Sequence, residues 1–421
     1  MKKSLFALAA VTAFAGAAQA QSSVTVYGIL DVGYIGGNSR LSSNAAVPAV
    51  TGGQVKATVN KFGDSAESTS RLGFKGTEDL GGGSSAFFTA EFQLYPTDQQ
   101  LSGNGATTGA SGGLLNRQTF VGLKKNGIGQ AAIGTQYTPV FNAGTATNPN
   151  GQNNMIGDLV YAGAPAVSAS DNAGAISASQ TNRTSNTLTA LSDNFAGFTF
   201  GAMYTLSQKN TTSATNAAGQ VTTGGNTNAT GWGLNADYTY NKFYVTAAYQ
   251  ALKQLTSQTN NGVTVATAGA VPLPWSTAQP TPSNVTSAGA LNVQDNQFLA
   301  GATYDFGILK AYAQYITRKA TATASSNYYI KRSAEQIGVR SYITPVIEAW
   351  ASGSMGRYSA FGVGQPTVNM NAWQLGSNYY LSKRTNLYAI YGQQLNSTGS
   401  TGTVTSSSGA SNYAVGVRHT F

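Results

Sequence analysis

Apolar and polar residues alternate along many segments of roughly ten residues, the length of a strand that crosses a membrane. In residues 231–240 one face carries Trp232, Leu234, Ala236, Tyr238 and Tyr240, and the other carries Gly233, Asn235, Asp237 and Thr239. Strict two-residue alternation predicts a β-strand with two different faces. Because aromatic residues end the apolar face and small aliphatic residues fill its middle, that face is expected to contact lipid between two aromatic girdles.

The same unit recurs along the chain and predicts an all-β fold, a transmembrane 16-stranded antiparallel β-barrel. Seven short links join strand pairs, among them Asn241-Lys242 and Lys383-Arg384. Eight long polar loops, expected on the extracellular side, separate the pairs. These loops cover roughly 35–69, 96–115, 137–184, 208–230, 253–293, 319–333, 359–370 and 395–410. The first and last strands should pair, because an open sheet edge is untenable in hydrocarbon.

Composition agrees with this fold and excludes several other classes. Charged residues make up 9% of the 421 residues, far below the roughly 25% of soluble domains. No run of 18 apolar residues occurs, which excludes a helical membrane protein. The absence of cysteine and the single histidine, His419, argue against thiol, zinc or His-based catalytic chemistry. The sequence therefore predicts no enzyme, catalytic residue, metal or cofactor.

The first twenty residues have the layout of a cleaved secretory signal peptide. Lys2 and Lys3 precede an apolar stretch from Leu5 to Ala18, and Ala18-Gln19-Ala20 supplies a small-x-small cleavage site. Residues 21–421 are then a single transmembrane barrel domain with 22 basic and 15 acidic side chains. Those basic residues are scattered singly, without the clustered stripe that nucleic-acid binding needs, so no nucleic acid is expected.

Several motifs, in order along the chain, resemble those of Gram-negative general porins, specifically the trimeric outer-membrane porins of β-proteobacteria. They are Ser23 to Asp31 (SVTVYGILD), Ser70 to Gly81 (SRLGFKGTEDLG), Arg117 to Leu123 (RQTFVGL), Arg183 with Asn186, and Gly416 to Phe421 (GVRHTF). The resemblance implies an outer-membrane homotrimer in contact with outer-membrane lipid and lipopolysaccharide. It also implies that the third extracellular loop, 137–184, folds into the barrel, and that Phe421 ends a signal read by the outer-membrane insertion machinery.

Three arginines are the candidate basic wall of a pore constriction. Arg71 shares the inward face with Lys75, whereas Arg117 is expected to share a face with Thr119, with Phe120 pointing outward. Arg183 lies where the third loop rejoins the wall. Alternation alone leaves open whether these are ordinary solvated charges of the lumen, and the resemblance favours a constriction.

Two acidic residues are the candidate counterpart of that wall. Glu91 is inward by alternation and is either the carboxylate that holds the arginines or an isolated charge of the lumen. Asp158, with Asp171, is one of the two acidic residues in the third loop, which is otherwise very low in charge.

The predicted function is a water-filled channel for passive diffusion of small hydrophilic solutes and ions, weakly anion-selective because inward basic residues outnumber acidic ones. Two alternatives remain open. One is an oligosaccharide-selective porin that uses the inward aromatics Tyr137, Phe141 and Tyr161. The other is a non-conducting barrel for adhesion or structure.

Overall fold

The chain folds into a closed antiparallel β-barrel in the computed structural model. The described residues are 23–43, 46–47, 50–51, 54–98, 101–102, 113–161, 180–217, 221–256, 259–260, 263–264, 293–322, 329–361, 367–401 and 404–421. The expected signal peptide and Asp171 lie outside these ranges. Within them, none of the helical structure is long or apolar enough to cross a bilayer.

In the described ranges, seventeen strand segments and one helix make up the barrel and its third loop. They are β1 (Ser23–Ser43), β2 (Gln54–Asp64), β3 (Arg71–Gly81), β4 (Ser84–Gln93), β5 (Leu115–Lys125), β6 (Gly129–Tyr137), α1 (Pro139–Thr147), β7 (Arg183–Ser192), β8 (Phe198–Thr215), β9 (Val221–Tyr240), β10 (Phe243–Thr256), β11 (Val293–Asp305), β12 (Lys310–Ala322), β13 (Tyr329–Thr344), β14 (Ile347–Phe361), β15 (Thr367–Tyr380), β16 (Thr385–Thr401) and β17 (Val404–Thr420). Two short strand pairs, Ala46–Val47 with Val50–Thr51 and Thr259–Asn260 with Val263–Thr264, lie in the loops.

The described segments form sixteen strand positions, because β2 and β3 share one of them. β2 pairs with residues 32–42 of β1, and β3 pairs with residues 23–29 of the same strand. The two pairings approach each other at Val32↔Asp64 and Ile29↔Arg71. Residues 65–70 leave the sheet between them. β1 also pairs with β17, from Ile29↔Thr420 to Ser43↔Ser406, which closes the barrel. The predicted strand count and the pairing of the two chain ends are confirmed.

Strands β8 to β17 are longer than the sequence predicts. β8 runs to Thr215 and β9 begins at Val221, although 208–230 was expected to be a loop. Beyond the upper aromatic girdle both faces of β8 and β9 are mostly polar, so the alternation that reveals a strand in lipid is lost while the backbone pairing continues. The short links at the opposite end lie where they were predicted.

The side chains confirm that the barrel is polar inside and apolar outside. Leu234 is 53% exposed on the outer surface, whereas Thr246 is 1% exposed and hydrogen bonds to Asp237 inside. Outward aromatics pair across strands at the upper girdle, as in Trp232 with Tyr249, whose ring centroids are 5.4 Å apart.

Replacing Leu234 with arginine tests this inversion. We expect Leu234→Arg to lower the free energy of unfolding by about 2–4 kcal/mol, the cost of a basic side chain near the middle of the lipid face. Asn235→Arg is the matched control, because residue 235 faces the lumen, where Asn235 already donates a 2.8 Å hydrogen bond to Asp237. Urea-induced unfolding of both variants in lipid vesicles measures the difference, and equal destabilisation would contradict the assigned faces.

The described part of the third loop, residues 138–161 and 180–182, lies against the inner wall of the barrel. It leaves β6 at Thr138, whose hydroxyl donates to the carbonyl of Thr181 at 2.7 Å and so ties the two ends of the loop together. The same hydroxyl accepts from the Phe141 amide at 3.2 Å and caps α1. Two glycines of the wall leave room for the loop, because a Cβ at Gly301 would collide with Thr147 and one at Gly392 with the carbonyl of Ile156.

Neutral amide side chains of the wall hold the loop along its path. Gln314 donates to the Gly144 carbonyl at 2.7 Å, and Gln297 accepts from the Thr181 amide at 2.8 Å. Further round the barrel, Asn153 donates to Gln374 at 2.6 Å. The described part of the loop therefore takes up part of the cross-section of the lumen.

Candidate functional site

Glu91 lies at the centre of a cluster of charged and aromatic side chains, on the inner wall where the third loop begins. Its carboxylate accepts from Arg117 Nε at 2.7 Å and from the Tyr27 hydroxyl at 3.1 Å, and it lies 3.9 Å from Arg71 Nη1. Glu91 is 3% exposed and Arg117 4% exposed, so this ion pair is largely shielded from water. Burial of two charges is tolerable only when they are paired and well hydrogen-bonded.

Arg117 reaches the lumen through a β-bulge rather than by simple alternation. In the β4–β5 register Glu91 faces Gln118 and Phe92 faces Asn116, so Arg117 is the extra residue. The bulge shifts the phase of β5, which leaves Thr119 exposed outside and places Phe120 inside against Phe87, with ring centroids 6.3 Å apart. The expected inward position of Arg117 is correct, but the expectation that Thr119 shares its face and that Phe120 points outward is wrong.

Tyr137 connects the wall to the third loop. Its hydroxyl accepts from Arg117 Nη2 at 2.9 Å, and the Arg183 guanidinium lies 5.7 Å from the centre of its ring. On the loop side its ring stacks on Phe141 of α1 at 4.3 Å, and Tyr161 follows at 6.4 Å from Phe141. The three aromatics named for the oligosaccharide alternative therefore lie together, packed on one another beside the arginines.

Arg71 and Arg183 add positive charge to the cluster. The Arg71 side chain is 21% exposed and is oriented by donation from its Nε to the Thr69 carbonyl at 2.8 Å. Nη1 of Arg183 is buried and has no hydrogen-bond partner within the described part of the chain. Among the described residues, Glu91 is the one carboxylate that pairs with Arg71 and Arg117. Three arginines and one carboxylate leave the cluster with a net charge of two positive units.

Asp158 does not join this cluster. Its carboxylate accepts from Asn148 at 2.6 Å and from the backbone amides of Val160 and Tyr161, both at 2.9 Å. It is 1% exposed, and none of the ion pairs among the described residues involves it. A carboxylate whose oxygens are used by its own loop stabilises the turn instead of lining the constriction opposite Arg71, Arg117 and Arg183.

Alternation predicts that Arg318 and Arg340 face inward, but it does not predict the two wall carboxylates that pair with them. Asp295 on β11 forms a fully buried ion pair with Arg318 at 2.6 Å. Glu348 on β14 pairs with Arg340 at 2.9 Å, and these two side chains are partly exposed. Asp295 falls at the edge of a predicted loop, so its inward position could not be deduced. Arg340 also donates to the Pro149 carbonyl at 3.2 Å, so this pair supports the third loop from the opposite wall.

Phe421 lies at the closing seam of the barrel. Its backbone amide and carbonyl exchange hydrogen bonds with Gly28 of β1 at 3.2 and 3.1 Å. Its ring contacts the position where Gly28 lacks a side chain, and it remains 41% exposed on the outer surface. The last residue therefore contributes both backbone pairing and an exposed aromatic ring to the rim.

A closed barrel with an apolar exterior, a polar lumen and a loop that narrows it defines a channel protein of the outer membrane. The family model for Gram-negative porins matches residues 7–399, and the chain belongs to that family.

Curated relatives agree with this assignment. An outer membrane porin protein of Bordetella pertussis is 27% identical over 92% of this chain and 93% of its own length. Outer membrane porin protein 32 of Delftia acidovorans is 34% identical, but that match spans 50% of this chain and about half, 51%, of the relative. The solved anion-selective porin from Comamonas acidovorans has the same fold, with a TM-score of 0.61 and 22% identity over 95% of this chain and all of that one.

Proposed function

We propose that the protein is a water-filled channel through which small hydrophilic solutes and ions diffuse passively across the outer membrane, with a weak preference for anions. The observation that carries this proposal is the cluster of Arg71, Arg117 and Arg183 around the single carboxylate of Glu91. The description of the Comamonas porin as anion-selective supports it.

The electrostatics of the narrow zone favour anions. α1 carries no charged residue, so the loop side of the constriction offers no acidic surface there to oppose the arginines. A confined lumen with low-dielectric walls weakens screening, and a few fixed charges then set the local potential. An excess of two positive charges at this point lowers the barrier for anions without excluding cations.

The ion selectivity in a salt gradient tests the proposal. Arg71→Gln with Arg183→Gln removes both excess charges and keeps the buried Arg117–Glu91 pair, so we expect the reversal potential in planar bilayers to move toward that of a non-selective pore. Adding Arg117→Gln should shift it further, toward cations. Raising the salt to 1 M should shrink all differences, because the Debye length falls to about 3 Å.

Lys124→Gln with Lys125→Gln is the matched control, because it removes two positive charges at a short turn far from the constriction. This variant should keep the selectivity of the wild type. A wild-type pore that prefers cations, or a double arginine variant with unchanged reversal potential, would refute the mechanism.

Assembly and partners complete the proposal. Cleavage after residue 20 yields the mature chain, and the insertion machinery of the outer membrane reads the terminal strand that ends at Phe421. Three copies form a homotrimer, which the family resemblance supports, and the outward apolar surface contacts outer-membrane lipid and lipopolysaccharide. Family and fold are those of channel proteins, and the proposed transport needs neither a cofactor nor a catalytic residue.

The aromatic cluster does not favour the oligosaccharide alternative. A sugar-stacking track needs free ring faces, whereas Tyr137 has Phe141 stacked on its ring and Arg183 close beside it. The lumen face at this point is defined by guanidinium groups, which suit anions better than neutral sugars.

A further inference from the structure

Three basic side chains lie next to one another on the outer surface of neighbouring strands. They are Lys319 on β12, Lys331 on β13 and Arg357 on β14, and all three are exposed. Lys319 is directly opposite Lys331 in the sheet, and Arg357 is opposite Ser333, the next residue on the same face as Lys331. We call these three residues the outer basic patch.

The register places this patch just beyond the lipid-facing band. Tyr315, an exposed aromatic of the upper girdle, precedes Lys319 by four residues on the same face of β12. At about 3.3 Å per residue, Lys319 lies roughly 13 Å further along the strand toward the extracellular end. Lys253 has the same spacing from Tyr249 on β10. Aromatic girdles sit at the level of the lipid headgroups, so the patch lies at or slightly above that level.

One acidic residue of the protein lies near the patch, diagonal to Arg357, and it leaves the patch with a net positive charge. Glu335 is the nearest acidic residue on that face of β13, and none of the ion pairs among the described residues includes it or the patch. The Lys319 ammonium lies 4.3 Å from the centre of the Tyr329 ring, which orients it without neutralising it. Like charges directly opposite each other in antiparallel strands repel, so an external anion would stabilise the pair.

We propose that the outer basic patch binds the phosphate groups of an anionic lipid of the outer leaflet. A guanidinium can bind a phosphate through two parallel hydrogen bonds, and lysine adds a point charge on a flexible stem that follows the apolar surface. Asn296 and Asn369 lie opposite Lys319 and Arg357 respectively, and their amides can bond the remaining oxygens. The proposal rests on the proposed contact with outer-membrane lipid and does not depend on the selectivity of the pore.

Native mass spectrometry of the detergent-solubilised protein tests this site with lipid A as the probe, in its bisphosphorylated and dephosphorylated forms. The patch variant is Lys319→Gln, Lys331→Gln and Arg357→Gln. The control variant is Lys242→Gln, Lys383→Gln and Arg384→Gln, which removes three positive charges from short turns at the opposite rim. We expect the patch variant to bind bisphosphorylated lipid A about 10- to 100-fold more weakly than wild type, because each basic residue near a lipid surface contributes on the order of 1 kcal/mol.

The control variant should bind like wild type, and dephosphorylated lipid A should bind both variants and wild type equally weakly. Unchanged binding of bisphosphorylated lipid A by the patch variant would overturn the site while leaving a general contact with lipid in place. Equal losses in patch and control variants would show that net charge alone attracts the lipid, which also overturns it. Single-channel conductance in a phosphate-free bilayer confirms that both variants are folded.

Discussion

Deletion of Phe421 should abolish most insertion of the protein into the outer membrane, which is the largest effect expected of any single change in this chain. The deletion removes the exposed terminal ring and also the two backbone hydrogen bonds with Gly28 that close the seam. Lost pairing at the rim costs only about 0.5–1.5 kcal/mol per bond where water can replace it. A complete failure to insert would therefore come from lost recognition by the insertion machinery.

Phe421→Ala separates these two contributions, because it removes the ring and keeps the backbone pairing. We expect this variant to fail in cells nearly as severely as the deletion, yet to refold into detergent micelles at the yield of the wild type. Phe306→Ala, which removes another exposed ring from a short turn, serves as the control and should insert normally. If the Phe421→Ala protein accumulates in the membrane at wild-type levels, the terminal ring is not the signal.

Replacement of Glu91 should have the second largest effect, because it changes both stability and conduction. In Glu91→Gln the Arg117 guanidinium loses its 2.7 Å ionic partner and remains buried. Removing one member of a buried pair costs about 3–5 kcal/mol, and the lower end applies here because water in the lumen reaches Arg71. The three arginines would then be without a negative charge among them, and the pore should become more strongly anion-selective.

Glu348→Gln provides the comparison, since Glu348 is likewise held by an arginine and a tyrosine, Arg340 and Tyr380. Both variants should unfold at lower denaturant concentration than wild type. The reversal potential in a salt gradient should change more in Glu91→Gln, because Glu91 lies within the arginine cluster at the constriction. A larger shift of selectivity in Glu348→Gln would place the narrow zone elsewhere in the lumen.

Alternation predicts the barrel well because the membrane imposes it on every strand. A residue in lipid must be apolar and its neighbour must face water, so the faces of Leu234 and Thr246 can be read directly from the sequence. Where both faces of a strand contact water, as in β8 beyond the girdle, the strand still pairs with its neighbours but its sequence shows no alternation of apolar and polar residues. A bulge has the opposite effect, since one additional residue inverts every face beyond it and leaves the sequence apparently regular. Thr119 and Phe120 were misplaced for this reason.

The candidate site was only partly predictable for a different reason. Arg71, Arg117 and Glu91 belong to strands, and their meeting follows from inward position and register. Asp158 belongs to a loop, where a carboxylate can satisfy itself with nearby amides, and counting acidic residues cannot distinguish that from a charge that faces the pore. Asp295 lies close to the first residue of β11, and the polar sequence there does not show where the strand begins. The ion pair of Asp295 with Arg318 could therefore not be predicted.

The glutamines and asparagines that hold the third loop carry no charge, and this separates two properties of the channel. Gln314, Gln297 and Gln374 hold the loop that fills part of the passage, whereas in the proposed mechanism the arginine cluster sets the electric field of the passage. Evolution can therefore adjust size exclusion and ion preference through different residues, with little interference between them. An engineered pore could be widened by changes at the amide contacts and still sort ions by sign as before.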